Sequence, residues 1–510
     1  VENQQRPSRR LAFAGLFLIE MWERFGYYGM TAVIVLFMVQ QLGYTDERAV
    51  QTFGAFAAMV YAAPAVGGWI GDQILGSRRM TVLGALVLAG GYILLAIPDP
   101  RLLFVALGVI AVGNGLFKAN PANLVSKVYE GDPSQIDSAF TLYYMAVNLG
   151  AAISQIATPL IALWVGWHVA FAVSAGGLLL GVVNYFFMRR HLSHVGSPAD
   201  FEPLDYRRLT LVLVGCVLAV AFVTVVIQHL AVAKAVVWLA AIALAGIFAY
   251  LIKRADTSQR KGLIAVLLLT LQTILFFIFY QQMSTSLTLF SARNVDLQLL
   301  DVQLLGAHLH YTVPAGQVQA LNPIWIFVLS PVLAWFYNHR ARGKGDLSVA
   351  GKFAWGFAIL SLGFFTYAVS GFFADAGRIS IWWMIGGYGL QSLGELLISG
   401  LGLAMVARYV GPELRGFIMG VWFLATGISQ YLGSFVASFA SVPKDITDPV
   451  KTLPLYTHLF GWLGAVAAAG TVLAIAMLPL MRRLSEGSAG AGSEELPHGA
   501  AADLEAGFES

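Results

Sequence analysis

Glu20, Glu23, Arg24, Tyr27 and Tyr28 lie at spacings of i, i+3, i+4, i+7 and i+8 inside the apolar stretch AFAGLFLIEMWERFGYYGMTAVIVLF. In a helix that spacing gathers all five side chains on one face. An ionisable group in lipid costs roughly 2.5–3.5 kcal/mol on insertion scales, so three of them must face a wet cavity or one another. Two acids around one guanidinium leave a carboxylate over. Lys118, within GNGLFKANP, is the candidate partner for it. Two carboxylates against Arg24 and Lys118 are neutral together, and a proton taken onto one of them leaves one net positive charge. Burial opposes a charged carboxylate and neighbouring cations favour it, so such a site can exchange a proton. If protonation breaks an ion pair that holds a gate closed, the proton is coupled to a conformational change. The competing reading is a buried ion pair that only joins helices.

Glu395, in SLGELLISGLG, is a separate acid with no basic residue within a helical turn or two. Its partner must come from another helix or from a ligand, and a cationic substrate group would serve. The alternative is a protonated carboxyl bonded to a serine such as Ser399.

The elements that must position these groups follow from composition. Of 510 residues, 58% are hydrophobic and 12% charged, against about 25% charged in soluble domains. Apolar runs long enough for a hydrocarbon layer recur at 11–41, 50–73, 79–97, 101–130, 135–165, 166–190, 209–229, 232–252, 262–292, 317–338, 349–373, 379–409, 412–441 and 452–481. They are too long and too unalternating for barrel strands, so the fold class is an all-α integral membrane protein of about fourteen helices in a bilayer. The expected layout is a six-helix bundle over 11–190, a connector with an inserted transmembrane helix pair over 191–254, and a second six-helix bundle over 255–484. A Gly-, Ala-, Ser- and Glu-rich tail over 485–510 is expected to be disordered and cytoplasmic. His191 to Arg208, with Gly196, Ser197 and two prolines, reads as a loop. The first run carries charges and no cleavage site, and is expected to be a mature helix rather than a signal peptide. Cys216 is the only cysteine, which excludes an intramolecular disulfide and a cysteine metal cluster. The net charge of +3 gives no reason to expect nucleic acid.

Basic residues test the layout independently. Arg6, Arg9 and Arg10, then Arg78 and Arg79, Arg189, Arg190, Arg207 and Arg208, and Lys253, Arg254, Arg260 and Lys261 fall on one side. Arg340, Arg342, Lys344, Arg408, Arg415, Arg482 and Arg483 follow them. The positive-inside rule makes that side, and both termini, cytoplasmic. Between the second and third runs, GGWIGDQILGSRR resembles the loop motif of the major facilitator superfamily, with a weak echo at Asn338, Arg340 and Arg342. Its expected role is to latch helices. Two such halves rocking about a midplane site are the physics of alternating access.

EMWERFGYYGM resembles the ExxERFxYYG signature of the proton-coupled oligopeptide transporter family, bacterial type, with Glu20, Glu23, Arg24, Phe25, Tyr27 and Tyr28 in register. GNGLFKAN with Lys118, LYYMAVNLGA beside the pattern FYxxINxG with Asn148 and Gly150, LNP with Asn322, GELLISGLG with Glu395 and MGVWFL with Trp422 extend the likeness over about residues 11–484. The resemblance implies a major facilitator fold in the cell inner membrane, acting as a monomer that imports di- and tripeptides with protons and uses no cofactor or metal. It implies proton coupling by Glu20, Glu23, Arg24 and Lys118. The peptide amino terminus would bind Glu395, and its carboxylate would lie near Lys118 and Arg24. Tyr27, Tyr28, Tyr61, Asn148 and Asn322 would contact the peptide, Tyr61 being carried over on VYAAPAVGG and equally readable as packing. Trp422 would line an apolar side-chain pocket, although a membrane tryptophan also suits a lipid-facing position.

Two departures stand out. Thr31 replaces the Arg usual in GMRA, and Gln281, in FFIFYQQMSTSLTLF, replaces a usual Glu. These charges can pair in family members, so their joint absence leaves neither unpaired. Ala119 and Gly400 replace frequent prolines and put local kinks in doubt. The nearest rival is the same fold moving another small solute, such as an amino acid, nitrate or a drug, although Glu395 favours a cationic amine. No HExxH or GxSxG element supports an intramembrane enzyme, and no catalytic residue is expected. His168, His229 and His308 read as interface residues. A passive channel would not need paired halves.

Overall fold

The computed structural model describes residues 8–304, 307–341, 348–398, 406 and 409–486. Its helices are α1 (Arg9–Leu36), α2 (Asp46–Ala62), α3 (Pro64–Ile70), α4 (Ser77–Ala96), α5 (Leu103–Phe117), α6 (Ala119–Val128), α7 (Pro133–Trp164) and α8 (Trp167–Met188). The helical pair α9 (Tyr206–Gln228) and α10 (Leu230–Arg254) follows. Then come α11 (Thr257–Tyr280), α12 (Ser286–Asn294), α13 (Leu321–Ala341), α14 (Val349–Ser370), α15 (Ile381–Ile398), α16 (Pro412–Ala437) and α17 (Pro449–Glu486). Every run read from the sequence contains a helix.

Among the described residues, eleven helices are long and apolar enough to cross a membrane. The three runs outside that count hold α1, α15 and α16, and the first two carry Glu20, Glu23, Arg24 and Glu395. Apolar side chains such as Phe187, Trp335, Trp462 and Val472 face outward while Glu20, Glu23, Arg24 and Glu395 are buried. That inversion suits hydrocarbon as the solvent.

Proline breaks several long runs. The run 101–130 divides at Lys118, three residues before Pro121. Pro121 has no N–H to bond the Phe117 carbonyl, so the break forms although residue 119 is alanine. Pro64 likewise starts α3 after the break at Ala63. The run 262–292 divides between α11 and α12, at the turn that holds Gln281 and Gln282.

Residues 8–30 and 55–238 form one compact unit. Within it α4 packs on α5 and α8, α7 on α8, and α9 on α5. Two glycines permit close backbone approaches within it. A Cβ on Gly67 would stand 1.9 Å from the Gly115 carbonyl oxygen, so α3 meets α5 backbone to backbone. A Cβ on Gly150 would stand 2.3 Å from the Met21 carbonyl oxygen and 3.1 Å from Arg24 Cβ, so α7 seats α1 beside its charges.

The stretch expected to be a loop, 191–208, is docked on the same unit, with His191, Ser197 and Asp200 buried. Ser197 Oγ donates to Asp72 Oδ1 at 2.8 Å and lies 2.6 Å from Ser77 Oγ. Arg78 Nη1 donates to the Leu192 carbonyl at 2.9 Å, and Arg79 Nη2 to the Glu202 carbonyl at 2.6 Å. The loop motif thus holds the connector.

Residues 31–54 and 239–486 make up the described part of the second unit. Here α14 packs on α17 and α15, α11 on α16, and α13 on α15. A feature not foreseen is the antiparallel hairpin of β2 (Gln298–Leu304) and β3 (Ala307–Thr312), preceded by β1 (Val295–Asp296), which pairs in parallel with β4 (Ile379–Ser380). Ser399, Gly400, Arg342, Lys344 and the tail beyond 486 lie outside the described residues.

Candidate functional site

The face predicted on α1 forms. Glu20 and Glu23 are fully buried and Arg24 is 1% exposed. Arg24 Nε stands 3.1 Å from Glu20 Oε1 and 2.6 Å from Glu23 Oε2, so one guanidinium forms ion pairs with two carboxylates. Each acid has a second donor from another helix. Tyr143 Oη on α7 donates to Glu20 Oε2 at 2.5 Å, and Asn114 Nδ2 on α5 donates to Glu23 Oε1 at 3.2 Å. Removing one partner from a buried pair of this kind costs about 3–5 kcal/mol, because the other charge is left uncompensated.

Lys118, buried at the break between α5 and α6, is not in ion-pair contact with either glutamate. Its Nζ lies over the Tyr61 ring, 4.6 Å from the centroid. Such a desolvated cation–π contact is worth about 2 kcal/mol. Tyr61 therefore belongs to the charged cluster through Lys118. Tyr27 packs edge-on against Tyr28 at 5.5 Å between centroids and stacks on Phe56, with the Arg24 guanidinium 5.8 Å from its ring. Asn148 is buried on α7 and donates to its own helix at the Tyr144 carbonyl, 3.2 Å away.

The second unit holds the other acid. Glu395 is 1% exposed on α15. Asn322 Nδ2 on α13 donates to Glu395 Oε2 at 2.5 Å and to Ser392 Oγ at 3.1 Å. Asn322, expected among the peptide ligands, is thus a hydrogen-bond donor to the acid. Trp422 is 2% exposed, so it faces the protein interior and not lipid. Gln281 donates to Ser434 Oγ at 3.1 Å, and Gln319 Nε2 donates to the Thr31 carbonyl at 3.5 Å. Neutral hydrogen bonds thus occupy the two positions where the expected charged pair is missing.

Sequence reasoning missed Tyr143, Asn114 and a charged clasp in the second unit. Asp46, buried at the first turn of α2, accepts from Arg293 Nη1 at 2.5 Å, from Nη2 at 2.8 Å and from the Val442 amide at 3.0 Å. Arg293 also donates to Tyr456 Oη at 2.6 Å. The clasp joins residues 31–54 to α12 and α17.

The fold superposes on a crystal structure of tetrameric PepTSo2 with a TM-score of 0.85 and 52% identity, over 94% of this chain and 100% of that one. A solved bacterial homologue of the human drug peptide transporters gives a TM-score of 0.84 and 51% identity over the same shares. Apolar helices around buried charge, in this architecture, define a multi-pass membrane transporter of the major facilitator fold and not an enzyme. Dipeptide and tripeptide permease A of Escherichia coli (strain K12) is 42% identical over 482 residues, 94% of each chain. Dipeptide and tripeptide permease B of Salmonella typhimurium is 42% identical over 485 residues, 94% of this chain and 96% of its own. A family model described as the POT family matches residues 78–454, and the chain belongs to that family.

Proposed function

We propose that the protein imports di- and tripeptides together with protons by alternating access across the cell inner membrane, with both termini cytoplasmic. The observation that carries this reading is the pair of fully buried carboxylates around a single Arg24 Nε. Such a cluster exists in two charge states only if a proton can enter and leave. Protonation of one acid removes half of the hold on Arg24, and a guanidinium so released is available to a peptide carboxylate. Lys118 supplies the second cation at that end. Glu395, oriented by Asn322, takes the protonated amino terminus. Tyr27, Tyr28, Tyr61, Asn148 and Asn322 serve the peptide backbone, and Trp422 an apolar side chain. The names of the permease relatives support peptides as the substrate class.

The functional layout we propose is two six-helix halves, 11–190 and 255–484, with the helical pair of 191–254 inserted. Each chain carries a complete set of these residues, so the transport unit is the single chain. The test is uptake of a labelled dipeptide into proteoliposomes with and without an inward proton gradient. Accumulation is expected only with the gradient and should be competed by unlabelled dipeptides. Equal accumulation without a gradient defeats the proton coupling, and absence of competition defeats the substrate class.

A further inference from the structure

Glu20 and Glu23 share Arg24 but differ in their second partners, and this difference divides their labour. The Tyr143 bond to Glu20, at 2.5 Å, has the length of a hydroxyl donating to an ionised carboxylate. That hydroxyl has a single proton, and it is spent on Glu20.

At Glu23 the partner is an amide. Asn114 is fully buried, its Nδ2 donates over 3.2 Å, and its Oδ1 is buried with no protein hydrogen-bond partner. A buried carbonyl left unpaired costs about 1–3 kcal/mol, so a donor formed beside it would be favoured by a similar amount. An amide has a donor and an acceptor on one rotatable group, and turning it over exchanges them. Ionised Glu23 accepts from Nδ2. Protonated Glu23, an O–H donor, finds Oδ1 in the same place once the amide has turned.

Two cations and several tyrosines also face the pair. Arg24 and Lys118 can only donate, and the buried hydroxyl of Tyr92 bonds neither acid. Tyr28 lies on the same face of α1 and acts electrostatically on Arg24.

Resting on the proton-coupled reading above, we infer that Asn114 is a positioning residue whose amide turns over with the charge of Glu23, making Glu23 the carboxyl that carries the exchanged proton while Glu20 keeps its bond from Tyr143. The proton moves as H⁺ onto a Glu23 oxygen and no other bond changes. Arg24 then keeps Glu20 and loses Glu23, which frees one side of the guanidinium.

The experiment is infrared difference spectroscopy on the full-length protein in liposomes as pH is lowered, reading the C=O stretch of newly protonated carboxyl groups. In the parent a buried-carboxyl band is expected. It should vanish in Glu23→Gln and persist in Glu20→Gln. In Asn114→Leu the band should move to higher frequency, because the protonated group has lost its acceptor. Asn114→Ser, whose hydroxyl can donate or accept, should bring it back towards the parent position, and Tyr143→Phe should leave it in place. A band that survives Glu23→Gln overturns the assignment even if no Asn114 variant folds. A band unmoved in Asn114→Leu, in protein that still exchanges peptide, shows the asparagine to be structural only. If the parent has no such band, the proton-coupled reading itself fails.

Discussion

The perturbation that most directly tests the peptide reading is Glu395→Gln. Glu395 is 1% exposed and its Oε2 accepts from Asn322 Nδ2 at 2.5 Å. A protonated peptide amine that pairs with this carboxylate does so out of bulk water. Truncating one partner of a desolvated, hydrogen-bonded charge pair costs about 2–5 kcal/mol. That is a loss of roughly 30-fold to roughly 5,000-fold in affinity. The glutamine keeps the shape and an oxygen for Asn322, so the loss reports the charge and not the packing.

Calorimetry on purified protein with a free dipeptide and its amino-acetylated form completes the cycle. Acetylation should weaken binding to the parent by a factor in that same range, and should cost much less in Glu395→Gln, where its electrostatic partner has already gone. Penalties that simply add would show that Glu395 does not contact the amine.

Three further outcomes follow from the same geometry. Gly150→Ala places a methyl carbon 2.3 Å from the Met21 carbonyl oxygen, so overpacking of about 1–3 kcal/mol is expected. Because Gly150 seats α1 beside its charges, gradient-driven uptake should fall further than peptide exchange, and equal losses would mean that the cluster tolerates the shift. Asp46→Ala leaves Arg293 without its carboxylate; that side chain is 25% exposed, so the expected loss is about 2 kcal/mol, below the figure for a fully buried pair. The exchange Asp46→Arg with Arg293→Asp should recover part of the unfolding midpoint, and no recovery would locate the cost in the Val442 and Tyr456 contacts. In a Cys216→Ser background, Lys234→Cys should react with an impermeant reagent only from outside, and labelling from the cytoplasmic face would overturn the proposed topology.

What the sequence makes legible is local. Glu20, Glu23 and Arg24 fall within one helical turn and a fraction, so their shared face follows from helix geometry, and the structure forms it. Glu395 is legible as a charge with no neighbour of its own. Its partner Asn322, 73 residues away, is not legible by spacing. Tyr143 was hidden for a different reason: it stands where the family pattern has Phe, so that position reads as apolar and its hydroxyl goes unnoticed. Asp46 and Arg293 are 247 residues apart, and each sits near a helix end, where a charge is ordinary. The break at Lys118 had a signal in Pro121, but a run of apolar residues on both sides makes one long helix the simpler reading. The hairpin of β2 and β3 lies between helices, where hydropathy carries no information on strands.

The arithmetic of the α1 cluster also bears on voltage. Glu20, Glu23, Arg24 and Lys118 sum to zero when all are ionised, and a zwitterionic peptide adds nothing. On the proposed reading, with Glu395 ionised throughout, one full turn of the carrier therefore brings one positive charge inward for each proton. A membrane potential of 100 mV acts on that charge with about 2.3 kcal/mol. At equilibrium this is a further accumulation of roughly 50-fold, even with no difference in pH across the membrane.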